Sequence, residues 1–161
     1  MTHAMIEAQA DGAIECDPFG EVALPPEWTV GDVVAFLQTL PNHIEGNGYP
    51  LRHQFAPGVY LREITMPATH VVVGRVHKTS HFNIISKGCV SFWMPGHAVQ
   101  TVTAPYTFVS EAGAQKVLYI HEDTVWTTVH PTDETDVETL ENILAEPNPL
   151  LLDRPTTGEL L

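Results

Sequence analysis

Between Gly58 and Pro131 the chain alternates short β-rich runs with turn residues so closely that no crossover helix fits between them. The runs fall at 59–66 (VYLREITM), 70–77 (HVVVGRVH), 81–86 (HFNIIS), 89–94 (CVSFWM), 97–103 (HAVQTVT), 107–110, 115–121 (QKVLYIH) and 124–130 (TVWTTVH). Met66-Pro67-Ala68, Ser86-Lys87-Gly88, Pro95-Gly96, Ala104-Pro105 and Glu111-Ala112-Gly113 punctuate them. Neighbouring strands joined by tight turns run antiparallel, so an all-β sandwich or closed barrel follows. A jelly-roll barrel is the natural solution for eight such strands.

Two helices flank this span. Thr29 offers an N-cap, Val30, Val33, Val34, Leu37 and Leu40 recur at helical spacing, and Pro41 ends the run, which predicts a helix over 30–40. Thr135 and Glu138 form a capping-box pattern, and Val137, Leu140, Ile143 and Leu144 give a short apolar stripe that should lie across the barrel. The expected organisation is an extended N-terminal arm at 1–27, a helix and turn-rich connection at 28–57, the barrel at 58–131, a C-terminal helix at 132–146 and an extended tail at 147–161. The arm has no periodicity and holds Asp17-Pro18, Gly20 and Pro25-Pro26, while the tail carries Leu150, Leu151 and Leu152, which need a surface to cover.

The formal net charge is −13, and it is unevenly spread. Positions 52–87 carry Arg52, Arg62, Arg75, Lys78 and Lys87 against Glu63 alone, whereas both flanks are acidic. A chain of this balance lacks the basic footprint of a nucleic-acid binder. No apolar run approaches the ~18 residues of a membrane helix, and the acidic first residues do not read as a signal peptide. No nucleic acid and no membrane are therefore expected as partners. Cys16 and Cys89 have no metal-type spacing. Acidic arms against a basic centre predict a homo-oligomer in which residues 1–27 lie on a neighbouring subunit.

The chemistry concentrates in VVVGRVHKTSHFNIISKG, residues 71–88. Residues two apart in a strand share a face. If that phase persists from 71 onward, Val71, Val73, Arg75, His77, His81, Asn83 and Ile85 line one wall, unless the turn at Lys78-Thr79-Ser80 resets it. Clustered neutral imidazoles suit Zn, Fe, Ni or Mn, so His77 and His81 are candidate metal ligands. Alternation through Lys116, Leu118 and Ile120 turns His121 outward and favours His130 as the third ligand. Arg75, Asn83 and Lys116 are candidate contacts for a small anion such as a carboxylate or phosphate.

On these residues the chain resembles the cupin superfamily. His77 matches the second histidine of the first cupin motif, His81 stands at its glutamate, Gly88 matches its glycine, and Arg75 replaces its first histidine. In the second motif Gly113 is kept and Lys116 replaces the histidine ligand. The resemblance implies a cupin-type jelly-roll barrel with a divalent metal or small anion inside. The run 104–141 is also similar to small cupin-like proteins encoded by bacteriophages. That likeness implies a host-cell cytoplasmic or virion location, with phage structural proteins as alternative partners and a non-enzymatic virion or assembly role as the alternative function. His77, His81 and Arg75 support an enzyme acting on a small anionic molecule, and the arms support assembly.

Overall fold

The computed structural model describes residues 27–39 and 48–147. Its elements are α1 (Val30–Gln38), β1 (Leu51–Ala56), β2 (Val59–Met66), β3 (Val71–Val73), β4 (His81–Lys87), β5 (Cys89–Trp93), β6 (Gln100–Thr103), β7 (Tyr106–Ser110), β8 (Val117–Ile120), β9 (Thr124–Pro131) and α2 (Val137–Leu144). The strands form a five-stranded sheet in the order β1-β2-β9-β4-β7 and a four-stranded sheet in the order β3-β8-β5-β6. Every pairing is antiparallel. From β2 to β9 the chain passes to the other sheet at every step except β5 to β6.

All eight expected strands are present, and a ninth, β1, precedes them within the predicted connection. β1 pairs with β2 from Leu51↔Ile64 to Ala56↔Val59 and lies at the sheet edge, where its largely exposed residues need no apolar alternation. The run at 70–77 shortens to Val71–Val73 because the backbone leaves the ladder at Gly74. There the Gly74 amide still donates to Lys116 O at 2.9 Å and His77 to Ala114 O at 3.1 Å. A side chain at Gly74 would bring a Cβ within 3.3 Å of Lys116 O.

The assumed phase does reset. Val71 packs outward with Val117, Tyr119 and Trp93 against Val30, Val33 and Leu37 of α1. Val72 instead faces the inter-sheet core of Met66, Ile85, Val90, Phe92, Val102, Leu118, Ile120 and Trp126. After the turn, His81, Asn83 and Ile85 are buried on the inner face while Phe82 and Ile84 are exposed. Both faces of β3 are covered, so alternation cannot tell which one looks inward.

α1 starts as expected. Asp32 N donates to Thr29 Oγ1 at 3.2 Å, and Asp32 Oδ2 accepts from Thr29 N at 2.7 Å. The cap of α2 is Asp136 rather than Thr135, its carboxylate accepting from Thr139 N at 2.8 Å. The arm at 1–26, residues 40–47 and the tail from 148, with Leu150–Leu152, lie outside the described residues. Among the described residues no helix is long and apolar enough to cross a membrane.

One turn fixes how the sheets meet. Gly88 sits between β4 and β5 at φ +95°, and a Cβ there would strike Thr124 Oγ1, lie 2.6 Å from Asp123 O and 2.8 Å from Thr124 Cα. Gly58 also has positive φ, at +75°, but has open space around it. Urea unfolding should show Gly88→Ala losing ~3 kcal/mol or more, from overlap plus strain, against about 1 kcal/mol for Gly58→Ala. Equal losses would mean that the close approach of Thr124 does not constrain the turn.

Candidate functional site

The inner face of the five-stranded sheet is graded in rows by its register. At one level Ile64, Trp126 and Ile85 lie side by side and apolar; at the next come Arg62, Thr128, Asn83 and Phe108; at the third Tyr60 pairs with His130 and His81 with Ser110. The facing sheet contributes Val72, Lys116 and Leu118, and α2 closes one side with Leu140 and Leu144. Together they enclose a cavity of about 560 Å³, large enough for a small organic molecule.

Three imidazoles meet in its upper row. Ring centroids are 4.2 Å apart for His77–His81, 4.7 Å for His81–His130 and 5.9 Å for His77–His130. His81 Nδ1–H donates to Thr79 O at 3.0 Å, which fixes that ring's tautomer and leaves Nε2 as an acceptor. His77 Nδ1 and His130 Nδ1 are buried with no hydrogen-bond partner. Burial, then the neighbouring His81, His130, Lys116 and Arg62, push His77 down to about 3. Burial, then His81 and Arg62, push His130 down to about 4. All three rings favour the neutral form at pH 7, since burial also lowers His81.

Arg62 lies in the middle row, and Lys116 reaches in from the facing sheet. Lys116 Nζ donates to Ser110 Oγ at 2.6 Å, and Asn83 Nδ2 donates to the same oxygen at 2.8 Å. Asn83 Oδ1 accepts from Trp126 Nε1 at 3.0 Å, so a buried chain of hydrogen bonds orients the amine. Burial lowers Lys116 to about 8. Burial also works against the Arg62 charge, though a guanidinium keeps its proton in proteins. Glu141 is the one acid among the lining residues. It sits at the mouth, half-exposed, 3.8 Å from Arg75.

His77, His81, His130, Asn83 and Lys116 therefore line one cavity. Arg75 lines the same cavity, but its guanidinium is committed to α2: Nε donates to Glu146 O at 2.9 Å and Nη2 to Glu141 O at 3.2 Å. Lys78 Nζ reinforces this by donating to Asn142 O at 2.8 Å. His121 stays outside, bonded through Nε2 to Ser91 Oγ at 2.7 Å. Arg62 and Ser110 were not singled out in the sequence. Arg62 had a signal, since it interrupts the apolar alternation Tyr60, Ile64, Met66 of an inward-facing strand. Ser110 had none.

Donor type and protonation suit a divalent metal; arrangement does not. His77–His130 and His81–His130 stack at interplanar angles of 12° and 27°, and His77–His81 is tilted at 35°. Among the described residues no three His, Cys, Asp or Glu side chains form a metal-holding group. Arg62, Arg75 and Lys116 line the cavity, which opposes a further positive charge.

No family model matches this chain, and no curated protein matches it. Among solved structures it is similar to a cupin-2 domain protein from Shewanella frigidimarina, at 11% identity over 66% of this chain and 96% of that one, with a TM-score of 0.44. An RmlC-like cupin family protein with a double-stranded β-helix fold, from Methanocaldococcus jannaschii, matches at 9% identity over 54% of this chain and 83% of that one, TM-score 0.45. An acetylacetone dioxygenase from Acinetobacter johnsonii matches at 13% identity over 53% and 61%, TM-score 0.43. At such scores the likeness carries no functional weight, and the reading of the site rests on its own residues.

The buried imidazoles have a measurable consequence. Below 6.5 the unfolded chain takes up protons that His77 and His130 refuse until about 3 and 4. The unfolded state then binds more protons, so stability falls as pH falls across that window. Asp32 and Asp136, whose carboxylates are lowered from 3.8 by their capping bonds, act only below it. Urea midpoints should drop between pH 6.5 and pH 4.5, and a His77→Gln, His130→Gln double variant should flatten the drop. A flat wild-type profile would show that these rings are not held neutral.

Proposed function

We propose that this chain is a jelly-roll barrel of cupin type whose interior binds a small organic anion. The fold reading is supported by strand order: two antiparallel sheets share one interior and exchange the chain at nearly every step from β2 to β9. The anion reading is carried by one observation. The cavity holds Arg62, Lys116 and three imidazoles, and its single acid, Glu141, lies at the mouth facing Arg75. Among the described residues, Lys116 is buried without a carboxylate partner and half-buried Arg62 has Glu141 as the only carboxylate acting on it, a costly arrangement that an anionic ligand offsets. Arg62 is the permanent charge and suits a carboxylate or phosphate in two-point contact. Asn83 and Thr128 add neutral polar groups in the same row.

Calorimetric titration with small carboxylates and with inorganic phosphate tests this. At least one should bind, and Arg62→Met should weaken it roughly ten- to a hundredfold, the worth of one charged hydrogen-bond pair. No binding by any of them would overturn the reading. Elemental analysis of the purified protein separates the competing occupant: one equivalent of divalent metal, lost in His77→Ala, would replace the anion by a metal.

A second reading, a barrel used for assembly in a homo-oligomer or phage particle, is favoured by a row on the outer face. Leu61, Val129, Phe82 and Val109 are laterally adjacent across β2, β9, β4 and β7, with Phe82 56% and Val109 50% exposed. Light scattering should report an oligomer that Phe82→Asp dissociates. A monomer for both proteins would remove self-association.

A further inference from the structure

The chain has three lysines. Two of them, Lys78 and Lys87, lie near or on the surface, and the third is buried in the cavity wall. Lys116 enters from the four-stranded sheet just before β8, its amine 2.6 Å from Ser110 Oγ and 5.7 Å from the centre of the Phe108 ring. It has no carboxylate partner among the described residues. A buried ammonium held by one hydroxyl and one ring is poorly compensated, whereas a neutral amine needs no more than that hydroxyl. The Trp126–Asn83–Ser110 chain positions the nitrogen without supplying any negative charge. These are surroundings that make a lysine a nucleophile: desolvation and a fixed direction. Arg62 lines the same cavity in the row of Asn83, and the imidazoles of His77 and His81 lie close enough to feel the amine's charge.

Resting on the anion reading above, we propose that Lys116 is an imine-forming residue and that the anion is a small 2-oxo carboxylate. The carboxylate is held by Arg62, and the adjacent carbonyl carbon faces Lys116. The Nζ lone pair forms the C–N bond, and the carbonyl π pair moves to oxygen, which takes up a proton. The nitrogen gives one proton to a neutral imidazole. The carbinolamine oxygen then leaves as water after a second protonation, and the nitrogen lone pair completes the C=N bond. Amine, carbonyl and one proton become iminium and water, with no oxidant or reductant consumed. Such an iminium withdraws electrons from the neighbouring carbon, so the reactions open to the site are those that make or break a bond there.

The test treats the full-length protein with pyruvate or glyoxylate in the presence of a borohydride, which reduces any iminium to a stable secondary amine. Intact mass should rise by one adduct, and peptide mapping should place it on Lys116. At pH 8 burial gives Lys116 on the order of a hundredfold more neutral amine than an ordinary lysine, so labelling there should outpace Lys78 and Lys87. Peptide mapping of the treated wild-type protein makes the result independent of whether a variant folds. Lys116→Arg, checked for β-rich circular dichroism, should lose the adduct. Lactate, which has the carboxylate but no carbonyl, should give no adduct and should slow labelling by pyruvate. Lactate binding by calorimetry with no adduct from either oxo acid would overturn the imine and leave the anion site standing. No lactate binding and no adduct would overturn both. Labelling spread evenly over Lys78, Lys87 and Lys116 would overturn the special status of Lys116.

Discussion

The pairing of β9 with β2 on one side and β4 on the other is the contact on which the rest of this structure depends. It runs unbroken from Val59↔Pro131 to Met66↔Thr124 on the first side. On the second it runs from Phe82↔Val129 to Ile85↔Trp126, with a shift before Lys87↔Val125. Because side chains alternate with period two, this single register places Arg62, Thr128 and Asn83 in one row and brings Tyr60, His130 and His81 into the next. A slip of β9 by one residue would carry Thr128 and His130 to the outer face, away from Arg62, Asn83, Tyr60 and His81. The site is thus a by-product of the same hydrogen-bond ladder that closes the core, and its stability is the stability of the sheet.

The cavity combines groups that are hard to bury for different reasons. Imidazoles are cheap when neutral, and each neighbouring positive charge makes protonation harder, so the cluster holds itself in that state. Arg62 has no neutral state to retreat to and keeps the demand for an anion. Lys116 lies between these cases, able to exist in either form near neutrality. Trp126 links this polar level to the apolar one beneath it, since its ring packs with Phe92 and Phe108 while its Nε1–H reaches Asn83. One side chain therefore couples core packing to the orientation of the amine.

Much of the architecture was legible in the sequence, because turn chemistry and strand composition agree from Gly58 to Pro131. The proximity of His77 and His81 was suggested by their spacing, and His130 by the alternation through Lys116, Leu118 and Ile120 that turns His121 outward. What escaped detection was set by tertiary context. β1 carries an edge strand's mixed composition and no alternation. β3 is covered on both sides, so its phase could not be carried through the Lys78–Ser80 turn into β4. Arg75 resembles an anion ligand until α2 is seen to present its carbonyls to it. Ser110 gains its importance only because β7 lies beside β4 and opposite Lys116, a relation that no local pattern encodes.

The cavity's positive interior sits within a chain whose formal net charge is −13. These two fields act over different distances. The outer one extends into solution and is screened over about 8–10 Å at ordinary ionic strength, while the inner one lies between the two sheets, where salt screens it less. An anion of the kind proposed above would therefore be repelled on approach before it is held, the reverse of the usual electrostatic steering. The repulsion grows with the charge of the visitor, so such a site would act as a valence filter. It would admit monoanions in preference to polyanions of equal size, at the rate of entry rather than at the strength of the final contacts.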